Sequence, residues 1–445
     1  MLKLAASTQF DLPTLGKSMH ELLCALFPLP RSITGDGLRA TISAINDILP
    51  LNVSEVPSGE RVFDWIVPPE WAIDEAYLED EAGRRIVDWR ESNLHVIGYS
   101  EAVDAWFSLD ELRPHLHSLP DRPEWVPYRT SYYKRDWGFC IAHRVLGTLP
   151  EGRYHAVIRS RLFPGSLTLA ETLIPGESSE EILIFAHDCH PSLSNDNLSG
   201  VVVAAHLAAY LREQPTRFSY RFVFAPATIG SIAWLARNES VLPRVRAGLV
   251  LSLLGAPGPF HYTTSRAGDR EIDAAAKHVL ATDYPGSCLL PFMPWGYDER
   301  QFCSPGIDLP MGRLTRVPNG EFAEYHTSAD DTSFVTAEAL GEAWLACLRI
   351  FEAVERNQYY VNLLPKGEPQ LGRRGLYRSI GGYQDVPERQ LALLWVLNQS
   401  DGNSSMLDIA HKSGLPFRLI GDAADDLEAV GLLALAASAR CQMKP

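Results

Sequence analysis

From Glu181 onward, apolar runs of strand length alternate with stretches of helical length, and this alternation restricts the possible folds more than any other feature. Glu181-Ile182-Leu183-Ile184-Phe185-Ala186, Tyr220-Arg221-Phe222-Val223-Phe224, 249–254 and 260–264 are the strand candidates. Stretches 197–212, 231–237, 271–280 and a long 336–356 have helical length and composition. Strands that take turns with helices predict an open sheet covered by helices, with sites outside the carboxyl ends of the strands. Upstream, 18–27 and 37–49 read as two helices of the same α/β domain.

Between them the pattern changes. Val62-Phe63-Asp64-Trp65, 85–87, 94–97 and 154–158 are short strand candidates broken by Pro, Gly and charged turns. They predict a smaller α+β unit over 60–163, inserted into a main domain formed by 1–59 and 164–368. Trp65, Trp71, Trp125 and Trp137 are expected in the core of that unit, because large aromatics dominate cores. Phe63-Asp64-Trp65 faces the cleft only if the unit forms a lid. After Lys366-Gly367-Glu368-Pro369, helices at 388–398, 405–413 and 418–429 and a strand near 430–435 make a winged-helix pattern over 371–445.

Composition narrows the partners. The 445 residues are 46% hydrophobic, enough for a large core, and carry a net charge of −15. The C-terminal unit has about eight basic and eight acidic residues and no basic stripe, so nucleic acid is an unlikely partner and the winged helix is expected to contact protein. Seven cysteines without CxxC spacing suggest neither a disulfide framework nor a thiolate zinc site, and fit reduced thiols in the cytoplasm. Residues 1–9 lack the apolar core of a signal peptide, and no run approaches the roughly 18 apolar residues of a membrane span. Gly35-Asp36-Gly37 and Gly381-Gly382 read as turns, not phosphate loops. A homodimer would suit an acidic protein of this size, but no segment identifies an interface.

Three polar knots carry the chemistry. The first, His187-Asp188-Cys189-His190-Pro191-Ser192-Leu193-Ser194-Asn195-Asp196-Asn197-Leu198-Ser199-Gly200, follows a buried strand and precedes a helix. Imidazole and carboxylate suit zinc, and a catalytic zinc takes about three protein ligands with one position open. The plainer alternative is that Asn195, Asp196 and Ser199 cap the next helix. The second knot, Glu321-Phe322-Ala323-Glu324-Tyr325-His326-Thr327-Ser328-Ala329-Asp330-Asp331, also reads as a turn with helix-capping residues. The third, Trp295-Gly296-Tyr297-Asp298-Glu299-Arg300-Gln301-Phe302-Cys303-Ser304-Pro305-Gly306, also reads as a surface loop with a Glu-Arg pair.

In this order the knots resemble those of the zinc aminopeptidase superfamily that also contains glutaminyl cyclases. With Arg31-Ser32-Ile33-Thr34-Gly35, Phe63-Asp64-Trp65, Pro69-Glu70-Trp71, Ser92-Asn93-Leu94-His95 and Trp137-Gly138-Phe139-Cys140, nearly the whole chain resembles a bacterial aminopeptidase-like family with a C-terminal winged helix, found near polysaccharide or secondary-metabolite biosynthesis genes. The resemblance implies that His187 and Asp196 are metal ligands and His326 the distal one, with Asp196 bridging in two-zinc members. Three positions depart from it. Cys189 stands where an Asp orients the first His; Phe224-Ala225-Pro226-Ala227-Thr228-Ile229-Gly230-Ser231 lacks the usual Glu-Glu pair; and 249–255 lacks the ligand Asp that ends the next strand.

One zinc ion is therefore expected rather than two, in a hydrolase that cleaves the amide of a small aminoacyl or peptidyl substrate. Asp188, Asp298, Glu299 and Glu324 are the nearby carboxylates, with Glu299 or Glu324 expected as the base. His190, Asp298, Arg300 and Tyr325 are candidates for substrate binding. His190 could instead be a fourth ligand that closes the site, and Cys189 a nucleophile. The competing class is a catalytically degenerate binding or regulatory protein; acyl transfer or cyclisation ranks last.

Overall fold

The computed structural model describes residues 2–4, 10–318, 320–377 and 386–436. The turn expected at Gly381-Gly382, Cys441 and most of residues 1–9 lie outside them. Eight strands form one mixed sheet: β1 (Asn52–Pro57), β2 (Ser166–Ile174), β3 (Glu181–His187), β4 (Ser219–Ala225), β5 (Val245–Leu251), β6 (His261–Thr263), β7 (Cys288–Leu290) and β8 (Met311–Thr315). Their spatial order is β1-β2-β4-β3-β5-β8-β6-β7. The central strands β4, β3, β5 and β8 run parallel; β1 and β2 on one side pair antiparallel with their neighbours, and on the other β6 is antiparallel to β8 and parallel to β7.

Every residue of β3 and β4 is buried, which is why these strands read as unbroken apolar runs rather than alternating ones. Successive side chains nevertheless serve different cores. Ile182, Ile184 and Ala186 pack with residues of the helices Leu12–Leu26, Gly200–Arg212 and Ala337–Glu355. Leu183 and Phe185 turn to the other face, against Ile232, Trp234 and Phe302. Truncating Phe185 to Ala should cost about 3–5 kcal/mol. The closing helix starts where Thr336 accepts the Ala339 amide at 3.1 Å.

Between β1 and β2 the chain builds a four-stranded antiparallel sheet, Arg85–Asp88, Glu70–Asp80, Arg153–Phe163 and Val103–Ser108 in spatial order. It has its own apolar cluster around Leu78, Val87, Leu112, Phe139 and Tyr154. The strand expected at 94–97 is instead a 3-10 turn, Asn93–His95, begun by Ser92 accepting the Leu94 amide. The tryptophans also divide differently from expectation. Trp137 packs with the inserted cluster, but Trp71 joins the core of the main sheet. Trp125 is half-buried beneath the Arg122 guanidinium. Trp65 lies 40% exposed on a two-stranded hairpin, edge-on to Tyr133 at 5.3 Å.

The C-terminal unit has helices Val386–Gln399, Met406–Ser413 and Phe417–Ala429 and a sheet in the order Asp401–Ser405, Tyr359–Asn362, Leu433–Leu435. Its expected start at 371 is corrected, because Tyr359–Asn362 is its middle strand. That strand has four residues and directly follows a long helix, so it left no separate pattern in the sequence. Arg356 joins the units, bonding Glu352 at 2.9 Å, Asp425 at 3.0 Å and Asp422 at 3.1 Å. No described helix is long and apolar enough to cross a membrane.

Candidate functional site

β3 ends on His187, and the loop after it returns to the sheet edge before the helix Gly200–Arg212 begins. In that loop Asp196 is fully buried and does not cap the helix. One carboxylate oxygen lies 3.0 Å from Nε2 of His187, and the other lies 2.9 Å from Nε2 of His326. Ser199 and Asn195 also have other tasks: Ser199 Oγ accepts the Leu254 amide and Asn195 Oδ1 accepts the Gly255 amide, both at 2.9 Å. The capping alternative for this knot is therefore corrected. A helix amide has little claim on a carboxylate already engaged by two imidazoles.

His190 comes into the same cluster. One ligand atom each from His187, His190 and Asp196 lies within 4.8 Å of the others. Burial disfavours charge on Asp196, but His190, His187 and His326 hold its carboxyl well below the usual range. Burial pushes the His190 imidazole down to about 3, so it is neutral, the form that binds metals. A permanently charged carboxylate, neighbouring imidazole nitrogens and an unpartnered Nδ1 on buried His187 form a donor set that fits a zinc ion. His326 is one-third exposed and opens the cluster to the surface.

The backbone of His326 is left-handed, with φ of 55°, a conformation that costs a residue with a side chain about 1–3 kcal/mol. The inserted unit holds it there. The Tyr128 amide donates to the His326 carbonyl at 2.8 Å, the Ser328 amide donates to Val126, and Pro127 bridges Thr327. The same unit grips the first loop, where Asn93 Nδ2 donates to Ser192 Oγ at 2.9 Å; Ser192 also has positive φ. Arg31, wholly buried, donates from Nε to the His190 carbonyl at 2.9 Å and bonds Leu26.

Asp330, a helix-capping type in the sequence, fixes the loop instead. Its carboxylate accepts the amides of Asn195 at 2.6 Å and Asp196 at 2.9 Å. Burial pushes its carboxyl up to about 7 despite those bonds. Neither Asp330 nor Arg31 had a periodicity to reveal it. The loop groups they hold are backbone groups more than 100 residues away.

Of the carboxylates expected to act as base, the geometry favours a neighbour. Asp298 is fully buried, accepts from Ser231 Oγ at 2.7 Å, and keeps Oδ2 without a partner. Burial raises it to about 6, against the opposing field of His187. Glu299 is committed elsewhere: Arg313 Nη1 lies 2.9 Å away, though off the hydrogen-bonding direction, and burial raises its carboxyl. Glu324 is half-buried, and its backbone carbonyl accepts the Thr327 amide. Asp188 is buried with neither oxygen hydrogen-bonded, and burial lifts it to about 8.

Tyr297 stacks on His187 at 4.9 Å and Tyr325 on His326 at 4.0 Å; their hydroxyls are 3.5 Å apart. Burial keeps both phenols neutral, able to donate. The Arg300 guanidinium lies 5.9 Å from the exposed ring of Trp295. Burial raises the Cys189 thiol well above its usual range, and its sulfur lies 3.9 Å from the Ala227 carbonyl and 3.4 Å from His190 Nδ1. It is held as a neutral thiol, which argues against the nucleophile role.

A mixed sheet whose central parallel strands gather these side chains at their ends defines an aminopeptidase-like α/β protein. The chain belongs to the family described as "Domain of unknown function (DUF4910)", whose model matches residues 20–357, and a winged helix-turn-helix model matches 358–435. A Clostridium acetobutylicum protein named "Putative polysaccharide biosynthesis protein with aminopeptidase-like domain" is 47% identical over 420 residues, covering 94% of this chain and 96% of that protein. A crystal structure titled as a "putative peptidase" from the same organism has a TM-score of 0.91 at 45% identity, covering 96% of this chain and 97% of the other. A zinc aminopeptidase from Bacillus subtilis shares the fold, with a TM-score of 0.56 at 13% identity over 78% of this chain and 95% of that one.

Proposed function

We propose that this protein is a zinc-dependent hydrolase that cleaves an amide bond of a small aminoacyl or peptidyl substrate in a biosynthetic setting. The observation that carries the reading is the convergence of His187, His190 and Asp196, with His326 on the second Asp196 oxygen, at the carboxyl end of a buried parallel strand. Three donors from one loop and one from a segment 130 residues away are more than scaffolding requires.

His187, Asp196 and His326 would hold one ion, with His190 in reach. The ion would supply Lewis acidity toward a carbonyl oxygen and toward water. Asp298 is the proton acceptor in this reading, in place of Glu299 and Glu324, because it has an unpartnered oxygen and a proton affinity near the working range of a base, whereas Glu299 lies against the Arg313 guanidinium. The Tyr297 and Tyr325 hydroxyls donate to oxygen that gains negative charge as the amide is attacked. The winged helix is proposed to contact a partner protein.

The specific observation behind a second reading, a ligand-binding protein without turnover, is the absence of carboxylates in 225–231. Metal analysis of the purified protein, together with aminoacyl amide turnover, separates the two. About one zinc per chain, lost in His187→Ala, and hydrolysis lost in Asp298→Asn are expected of the enzyme. Protein free of metal and inert toward these amides would favour the binding module.

A further inference from the structure

Beside His326 an open groove of about 530 Å³ runs between the inserted unit and the Tyr325–Thr327 segment. In a chain with 55 acidic and 40 basic residues, no carboxylate lines this groove; His117, Arg122 and Arg129 do. Among the described residues neither arginine pairs with an acid. Arg122 spends one N–H on the Ala323 carbonyl and lies over Trp125. Arg129 is exposed, and its described side-chain bond runs from Nη1 to Nδ1 of His117 at 3.1 Å.

Nδ1 of His117 accepts that bond only when the imidazole is neutral. Burial and the neighbouring guanidinium both lower its proton affinity. The remaining N–H groups of Arg129 are left for a ligand. The backbone that carries Arg129 is anchored to the cluster. The Arg129 carbonyl accepts the Gly98 amide at 2.9 Å, and the preceding residue, Tyr128, holds the carbonyl of His326.

We propose that Arg129 binds a carboxylate of the substrate and thereby orients the scissile amide over His326 and Asp196. This rests on the hydrolase reading and names its substrate class: peptidyl or aminoacyl amides bearing a carboxylate on the portion that lies in the groove. A planar guanidinium with paired free N–H groups matches a carboxylate in a two-point contact. With Arg122 turned to the Ala323 carbonyl and the Trp125 ring, Arg129 carries the groove's open guanidinium, which suits a carboxylate better than a phosphate dianion. The carboxylate can come from the chain terminus or from an acidic side chain.

Three peptides distinguish these sources on the zinc-loaded full chain: Ala-Ala with a free terminus, Ala-Glu-amide with only the side-chain carboxylate, and neutral Ala-Ala-amide. KM is read where the peptide is cleaved, and Kd by calorimetry where it is not. At least one acidic peptide should bind about 10–100-fold better than the neutral amide, and Arg129→Gln should erase that preference. Arg129→Lys should restore part of it, while Arg161→Gln, which removes a charge from the same unit outside the groove, should leave it intact. Equal affinity for all three peptides, or a preference that survives Arg129→Gln, overturns the proposal. Hydrolysis without charge preference would sink the groove assignment alone; Arg129-dependent binding without zinc or hydrolysis would uphold it while removing the hydrolase reading.

Discussion

The carboxyl edge of the sheet has two unlike halves. After β3 and in the His326 loop, buried donors are crowded and fixed by distant partners: Asp330 on two loop amides, the inserted unit on His326, Arg31 on His190. After β4 and β5, the equivalent positions hold Ala225, Pro226, Ala227, Thr228 and Ser252, none of them a carboxylate. Ser231 is the polar link from that side, through its hydroxyl to Asp298. The difference teaches that one half of this edge keeps its donor side chains under tight positional control while the other half carries small residues. On the hydrolase reading proposed above, that arrangement suits one ion rather than two.

The largest effect should come from breaking the crowded half at its centre. Asp196→Ala removes the acceptor shared by His187 and His326, and is expected to abolish zinc binding and turnover together, read by metal content and initial rates. A variant that keeps a full equivalent of zinc would mean that the imidazoles suffice without the carboxylate. Next in size, Asp330→Ala leaves the Asn195 and Asp196 amides without their acceptor. It should cost about 1–3 kcal/mol of stability in denaturant titration, and zinc affinity should fall about 10–100-fold, as for other supports of ligand geometry. Unchanged affinity would show that the loop holds its shape without this carboxylate.

The sparse half should respond less. Ser231→Ala removes a hydrogen bond that favours ionised Asp298, so the proton affinity of Asp298 rises further and the acid limb of the kcat/KM profile should move to higher pH by up to about one unit. Thr228→Ala and Ser252→Ala should leave zinc content as it is; a loss in either would restore a metal role to that half.

The smallest effect lies outside both halves. His155 of the inserted unit is 2.7 Å from Asp104 and 3.2 Å from Glu79. Burial opposes its protonation, but those carboxylates raise it above the ordinary imidazole value. A raised folded-state pKa gives stability that is complete below about pH 6.5 and lost as pH rises through the folded value. Wild type should therefore lose up to about 1 kcal/mol more than His155→Gln between pH 6 and 8, read by thermal denaturation. Parallel pH curves would show that the pair contributes nothing.

Residues 181–187 and 219–225 were legible as buried strands because full burial on both faces demands continuous apolar runs. Strand β8 and the middle strand of the winged unit were not, since four or five residues carry too little pattern. His187 and Asp196 could be proposed as ligands because metal-ligand chemistry admits few residue types, whereas His326 was reached only through the resemblance of its stretch to that of the zinc aminopeptidases. Which carboxylate faces the imidazoles could not: Asp298 and Glu299 are chain neighbours, and only the turn of the short helix Glu299–Phe302 sends one toward Ser231 and the other toward Arg313.

By itself, then, the sequence determined the alternating α/β framework, the winged unit and the kinds of donor available, because these follow from local periodicity and side-chain chemistry. The tertiary structure alone decided that His190 joins the cluster, that Asp330 and Arg31 brace it, and that Arg129, without an acid partner among the described residues, lines the groove beside His326. Each of these depends on contacts between residues far apart in the chain, where direction and burial are set by packing and leave no local trace.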